Sequence, residues 1–240
     1  MQQRRMPEEP IFRNRREAGR ELARRLQKYA GRQDLLVLGV PRGGVPVAME
    51  VASALQAPLD IFVSRKLGVP GQEELAFGAV ASGGTRILDE EIVNAVGISG
   101  AEIKCIAARE TQELERREEV FRAGRPPLDV QGKTVVLVDD GIATGASLRV
   151  AIAALRQMRP AEIVIAAPVV PLSTSERLRR EADDVICVHT PKSFYAIGEF
   201  YDDFSQVTDE EVIELLRLAA SKDLRNPRAL PRKVDGEART

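Results

Sequence analysis

Two adjacent carboxylates directly follow an uninterrupted apolar run in the sequence. Asp139 and Asp140 come after the apolar residues 135–138. An ionised group is costly to bury unless something binds it, so we expect both carboxylates at the open end of a buried strand. Two aspartates and a glycine could also simply end a strand and ease a turn. The residues that follow bear on this choice.

A phosphate cradle is predicted immediately after the two carboxylates. Gly141 and Gly145 allow the backbone to turn with its N–H groups inward, and Thr144 and Ser147 add hydroxyl donors before a predicted helix. Inward N–H groups, hydroxyls and a helix N-terminus together bind phosphate. The neighbouring carboxylates would repel a phosphate unless they bind hydroxyl groups or a metal ion. A sugar phosphate with a free vicinal diol satisfies both halves of the segment.

The elements that must position these residues are continuous apolar runs that alternate with helical stretches. The runs predicted as strands are 35–38, 59–63, 134–138, 163–167 and 185–188. Helix caps are predicted at 99–102, 173–176 and 208–211. This alternation predicts an α/β fold with a parallel sheet covered on both faces, whose ligands bind beyond the carboxyl ends of the strands. The glycine-rich segment from Lys66 to Gly84 predicts a mobile loop or hairpin that stands off the main sheet.

The segment 135–148 resembles the phosphoribosyl pyrophosphate (PRPP) motif of the type I phosphoribosyltransferases at every position. The resemblance covers roughly residues 12–218 and is closest to the purine and xanthine members. It implies a type I phosphoribosyltransferase-like parallel sheet flanked by helices, with a small hood and a flexible loop or hairpin. By this likeness, Asp139 and Asp140 hold the ribose hydroxyls and take part in catalysis. The 5-phosphate is then held by Gly141, Ile142, Ala143, Thr144, Gly145, Ala146 and Ser147.

Two basic segments resemble the parts of this family that meet the departing pyrophosphate. Residues 40–44 resemble the pyrophosphate loop, which implies that Arg42 is a catalytic cation and that Gly43 and Gly44 contact PRPP; alone, these glycines could be a plain strand-to-helix turn. Arg65 and Lys66 stand where the family places basic residues at the root of its flexible loop, and the resemblance makes them catalytic candidates. By themselves they could equally be part of a solvated loop.

The segment from 191 to 202 resembles the hood of the hypoxanthine-guanine enzymes. The likeness implies that Phe194 stacks on the base and that Asp202 joins Asp139 and Asp140 in holding Mg²⁺, although Phe194 could equally be a core residue. Ala143 stands where those enzymes carry an aspartate that faces the purine, so the best clue to a six-oxopurine acceptor is missing. His189, the only histidine, could contribute near the base, but a structural role is commoner for such a residue.

Domain boundaries and cellular context follow from composition. We expect a disordered segment at 1–11, a phosphoribosyltransferase domain at 12–220 with its hood at about 12–30 and 189–220 and its flexible loop at about 66–85, and a disordered tail at 221–240. The net charge is −1, and Cys105 and Cys187 lack metal-ligand spacing. These features, with no apolar run of membrane-spanning length, favour a cytoplasmic protein with no membrane partner.

The favoured function is a Mg²⁺-dependent, PRPP-dependent transferase acting on a nucleobase or related nitrogen acceptor. The alternative is a PRPP- or nucleotide-sensing regulator on the same fold that binds RNA or DNA. Only the arginine-rich N-terminal segment favours the regulator, and a solvated helix face explains that segment more simply. Arg42, Lys66 and the glycine-rich loop favour catalysis, so nucleic acid is not the expected partner. A homodimer is a further expectation, because dimers are usual among similar proteins.

Overall fold

The computed structural model describes residues 10–122 and 124–221, and over these residues the chain forms two sheets flanked by helices. The strands are β1 (Leu35–Gly39), β2 (Leu59–Ile61), β3 (Ser64–Val69), β4 (Gln72–Ala81), β5 (Thr85–Leu88), β6 (Thr134–Val138), β7 (Glu162–Val169) and β8 (Asp184–His189). In this part of the chain the main sheet has five parallel strands in the order β2-β1-β6-β7-β8. The predicted α/β fold is confirmed.

Helices cover both faces of the parallel sheet. They are α1 (Arg15–Arg25), α2 (Gly44–Leu55), α3 (Glu90–Val96), α4 (Gly100–Arg122), α5 (Ala146–Gln157), α6 (Leu172–Leu178) and α7 (Asp209–Ala220). Because side chains alternate along a strand, Val136 of β6 belongs to the apolar cluster that includes residues of α1, α2, α4 and α7, whereas its neighbours Val135 and Leu137 belong to the cluster that includes α5. All residues of β1 and β6 are buried, as their continuous apolar sequence predicted.

The predicted helix starts have mixed outcomes. Ser99 and Glu102 form the capping box of α4, with the Ser99 N–H donating to Glu102 Oε2 at 2.9 Å, and Thr208 caps α7. The prediction of a cap at 173–176 was wrong, because α6 begins at Leu172 without a side-chain cap. The hydroxyl of Thr174 instead donates to the carbonyl of Ala143 at 2.8 Å and supports the predicted phosphate cradle from behind.

The glycine-rich segment forms a second sheet. Strands β3, β4 and β5 are antiparallel, and their apolar side chains pack against α4 and the main core. Leu67 and Phe77 are fully buried there. Of the two expectations, a mobile loop or a hairpin, the segment therefore fits the hairpin. It forms a sheet separate from the parallel one, and its side chains contribute to the core. Movement of this segment during turnover stays a prediction.

The two predicted hood segments meet each other. Phe12 N–H donates to the Phe200 carbonyl at 3.0 Å, and Asp202 N–H donates back to the Phe12 carbonyl at 2.9 Å. Phe12, Phe200 and Tyr201 form a small core of their own. Of the segments predicted to be disordered, residues 1–9 and 222–240 lie outside the described residues. Among the helices that the structure describes, none is long and apolar enough to cross a membrane.

Candidate functional site

The two carboxylates lie at the carboxyl end of β6. Asp140 is 8% exposed, Asp139 is partly exposed, and the Asp140 N–H donates to Asp139 Oδ1 at 2.9 Å. Burial raises the pKa of Asp139 well above its ordinary value, and repulsion from Asp140 raises it further. Burial also raises the pKa of Asp140, although a neighbouring guanidinium opposes that shift. The pair is thus poorly solvated and disposed to bind hydroxyl hydrogens or a cation.

The predicted pyrophosphate loop lies directly against these carboxylates. Val40 N–H donates to the Val138 carbonyl at 2.8 Å, which ties the end of β1 to the end of β6. A Cβ at Gly43 would lie 2.0 Å from Asp140 Oδ2, and a Cβ at Gly44 would lie 2.6 Å from the Val138 carbonyl. The Pro41–Arg42 peptide bond is cis. The structure therefore brings together two segments that are about a hundred residues apart in the sequence.

The predicted phosphate cradle is a short turn that opens α5. Gly145 precedes α5 with φ +75°, a conformation that favours glycine, and Thr144, Ala146 and Ser147 are exposed around it. Ile142 is buried and its N–H donates to the Val169 carbonyl at 2.9 Å. Ile142 thus anchors the turn, and both its side chain and its N–H are engaged within the protein. The exposed hydroxyls and the N-terminus of α5 lie on the solvent side.

Arg15, which the sequence analysis did not single out, is the partner of Asp140. Its Nε donates to Asp140 Oδ2 at 2.7 Å, its Nη1 donates to the Ser205 carbonyl at 2.7 Å, and its guanidinium lies 3.9 Å from the centre of the Phe204 ring. Arg15 opens α1, where a cation opposes the helix dipole. That unfavourable position was the one available signal that Arg15 has a partner elsewhere.

The hood packs onto the same turn. The Tyr201 hydroxyl donates to the Asp140 carbonyl at 2.5 Å, and a Cβ at Gly141 would lie 2.4 Å from Ile197 Cγ2. Asp140 is therefore held by Arg15 through its side chain and by Tyr201 through its backbone. Of the two residues, Asp139 is the more exposed, although only partly.

The three basic residues predicted to meet the pyrophosphate lie in different places. Arg42 lines a cavity of about 550 Å³ at the ends of β1 and β2, together with Ser64 and Ser147. Arg65 instead forms an ion pair with the buried Glu110 of α4, with Nη2 at 2.6 Å from Oε2. Lys66 is exposed and, since side chains alternate along a strand, projects from the opposite face of β3. Among the described lining residues of this cavity, neither Arg65 nor Lys66 occurs.

The predicted hood residues are partly assembled. Phe194 is half-buried and stacks on Phe200 with ring centres 5.8 Å apart, so one ring face belongs to the hood core. Asp202 is exposed, and among the described residues no three acidic, histidine or cysteine side chains converge as metal ligands. The structure therefore does not bring Asp202 to Asp139 and Asp140. His189 Nε2 is buried without a hydrogen-bond partner among the described residues.

Comparisons with known proteins show the family to which the chain belongs. Residues 11–205 match the sequence profile of the family described as "Phosphoribosyl transferase domain". Two curated Mycobacterium tuberculosis proteins named "Putative phosphoribosyl transferase", MT0597 of strain CDC 1551 / Oshkosh and Rv0571c of strain H37Rv, are each 45% identical over 206 residues. The matches cover 86% of this chain and 46% of theirs, so the chain spans about half the length of these relatives.

One further relative is similar in structure and another in sequence. The crystal structure of TT1426 from Thermus thermophilus superimposes with a TM-score of 0.77 at 42% identity, covering 85% of this chain and 97% of that one. The Bifunctional protein PyrR of Roseiflexus sp. (strain RS-1) is 31% identical over 142 residues, covering 58% of each chain. The family match extends over most of the chain and includes every residue of the site described above. This chain belongs to the phosphoribosyl transferase family.

Proposed function

We propose that this protein transfers the 5-phosphoribosyl group of PRPP to a nucleobase or related nitrogen acceptor and releases pyrophosphate. The observation that carries the proposal is the contact of the loop after β1 with the carboxylates after β6, where Gly43 leaves no room for a Cβ beside Asp140. One ligand that carries a phosphate, a diol and a pyrophosphate accounts for the cradle, the carboxylates and the Arg42 loop together.

The chemistry assigned to the site is mainly electrostatic. The bond from ribose C1 to pyrophosphate breaks through a sugar cation, and a nitrogen of the acceptor bonds to C1 from the other side. The 5-phosphate is held by Thr144, Ser147 and the N-terminus of α5. Asp139 accepts a hydrogen bond from a ribose hydroxyl, and Arg42 faces the departing pyrophosphate. Fixed charges that are in place before the reaction stabilise the transition state without reorganisation. Exclusion of water protects the sugar cation.

The carboxylate pair fits Mg²⁺ supplied together with the substrate. Asp140 Oδ2 is taken by Arg15, so the pair offers the partly exposed Asp139 carboxylate and the second oxygen of Asp140. Mg²⁺ keeps several waters and binds one or two carboxylates together with substrate phosphates. When bound, it would neutralise charge on the pyrophosphate. Asp202 as a third ligand stays a prediction that the arrangement of the described side chains does not favour.

The acceptor is left open by the residues around it. Ala143 is exposed and offers no side-chain group for a purine proton. Phe194 has one ring face on Phe200, so its other face is the proposed stacking surface for the base. A nucleobase of unspecified type is therefore the acceptor class that we propose. The homodimer and the cytoplasmic location expected from the sequence stay predictions.

A regulator on the same fold is the second candidate. The likeness to a protein named bifunctional leaves room for another activity. However, within the described residues the arginine-rich N-terminal segment that favoured nucleic acid is largely paired with carboxylates of the same chain. Arg13 binds Glu17 at 2.9 Å, Arg20 lies 3.7 Å from Glu50, and Arg24 pairs with Glu21. These ion pairs reduce the charge that a nucleic acid would meet, and they favour the transferase.

The test is pyrophosphate release from PRPP and Mg²⁺ with a panel of purines, pyrimidines and related heterocycles. We expect release with at least one base, and a rate lower by about 10²–10³-fold in Asp139→Ala, the loss typical of removing one preorganised group. Lys104→Gln, on the exposed side of α4, serves as the matched control and should retain the full rate.

The outcomes separate the two candidates. Release with one base, absent in an Asp139→Ala, Asp140→Ala double variant, would support the transferase and identify its acceptor. PRPP binding without release for any base would favour the regulator, and RNA binding would then be measured. Full activity in the Asp139→Ala variant would contradict the role given to that carboxylate.

A further inference from the structure

Two arginines of α4 face the pyrophosphate loop across the cavity of about 550 Å³. Arg116 and Arg117 line this cavity opposite Arg42, and Ser147 of the phosphate cradle lies on its wall. Their side chains are 63% and 48% exposed, so both guanidinium groups are accessible to a ligand. The cavity therefore connects the cradle to three guanidinium groups from two separate elements.

The charges of this cavity are incompletely balanced. Glu113 accepts hydrogen bonds from Arg116 Nε at 2.8 Å and from Arg117 Nε at 3.0 Å, so one carboxylate pairs with two arginines. Arg42 lies 3.6 Å from Asp209, the first residue of α7. Three cations thus face two carboxylates, and the surplus charge is positive. A multiply charged anion would be attracted into the cavity and would compete with Glu113 and Asp209 for the arginines.

One of the cations that the family resemblance assigned to the leaving group is engaged elsewhere. Arg65 is held by the buried Glu110 at 2.6 Å and does not line the cavity. The cations opposite Arg42 are instead Arg116 and Arg117 of α4. Arginine is suited to this task because its planar fork binds phosphate oxygens in pairs.

We propose that Arg116 and Arg117 bind the pyrophosphate group of PRPP, and that Glu113 and Asp209 are the counter-ions that pyrophosphate displaces. The inference rests on the proposed function and assigns its leaving-group site to a helix. Pyrophosphate would lie between Arg42 and α4, while the 5-phosphate stays at the cradle of 144–147. The two phosphate ends of PRPP therefore depend on different residues.

The experiment uses this separation. Inorganic pyrophosphate with Mg²⁺, ribose 5-phosphate and PRPP are each titrated by calorimetry into the full chain. The proteins are the wild type, the Arg116→Gln, Arg117→Gln double variant and the Lys104→Gln control. We expect the double variant to lose affinity for pyrophosphate and PRPP by about 100-fold, since a hydrogen bond to a charged group is worth roughly tenfold or more. Affinity for ribose 5-phosphate should be unchanged, and Lys104→Gln should match the wild type for all three ligands.

A change of opposite sign gives a second test. Asp209→Asn removes a carboxylate that competes for Arg42, so this variant should bind pyrophosphate more tightly than the wild type does. The mere loss of a structural contact would not increase the affinity. Pyrophosphate binding by the double variant equal to the wild type would overturn the assignment to α4 and leave the proposed function standing. Equal losses of affinity for pyrophosphate and ribose 5-phosphate in the double variant would also overturn it, because they would indicate general damage to the protein. A wild type that binds neither PRPP nor pyrophosphate would overturn the proposed function, and this inference with it.

Discussion

Arg15 and Asp140 are 125 residues apart in the sequence, yet they form the best-defined ion pair of the site. Each side chain is only 11% exposed, so the pair is largely removed from water. Burying one of these charges alone is costly, and the Arg15 guanidinium opposes the burial that raises the pKa of Asp140. Arg15 is thus a positioning residue that joins the N-terminal segment to the carboxylate turn.

Replacing Arg15 by Gln should destabilise the protein through Asp140. The free energy of unfolding is expected to fall by about 3 kcal/mol, because an unpaired carboxylate is left buried. Combining Arg15→Gln with Asp140→Asn should recover part of that loss, since the uncompensated charge is gone. Denaturant unfolding at neutral pH measures both effects. A single variant as stable as the wild type would show that the pair does not hold Asp140.

At the scale of elements, the sequence was sufficient for the strands of the parallel sheet and for the carboxylate turn. Continuous apolar runs predicted β1, β6, β7 and β8, and the Ser99–Glu102 pair predicted the start of α4. The roles of Arg15, Arg116 and Arg117 could not be predicted. The chain has many arginines, and the sequence does not show which of them the fold places beside a partner. The predicted cap at 173–176 failed because α6 begins at Leu172, one residue before the predicted cap, which places Ser173 inside the helix.

The antiparallel sheet is expected to behave as part of the core. Phe77→Ala should lower the free energy of unfolding by about 3–5 kcal/mol, because Phe77 is 0% exposed. Leu75 of the same strand is 40% exposed, so Leu75→Ala should cost less than about 1 kcal/mol. Denaturant unfolding of both variants gives the comparison. Small and equal effects would instead describe a loop detached from the core.

The stability of the whole molecule should depend on pH through Glu50. This carboxyl is 7% exposed between α1 and α2, and burial raises its pKa although Arg20 and Arg16 oppose the shift. A raised pKa means that the folded state holds the proton more tightly than the unfolded state. The contribution of Glu50 to folding is therefore largest below the ordinary carboxyl pKa of about 4.3 and is lost as the pH rises through the raised value.

Glu50→Gln tests this dependence, because the amide has the same shape and cannot ionise. The variant should be more stable than the wild type at pH 8, and the difference should shrink as the pH is lowered towards 4. Thermal unfolding across this range measures it. Parallel pH profiles for the two proteins would mean that Glu50 does not contribute to the dependence.

The central claim is that the loops after β1 and β6 form one PRPP site, and PRPP affinity in the presence of Mg²⁺ tests it most directly. Gly43 has an ordinary φ of −60°, so Gly43→Ala perturbs the site only because the new Cβ would lie 2.0 Å from Asp140 Oδ2. Gly100 has no atom within 4 Å of an added Cβ, which makes Gly100→Ala the matched control. We predict one PRPP per wild-type chain, unchanged affinity in Gly100→Ala, and a loss of about 100-fold or more in Gly43→Ala. A wild type that does not bind PRPP, or a Gly43→Ala variant that binds it equally well, would contradict the claim.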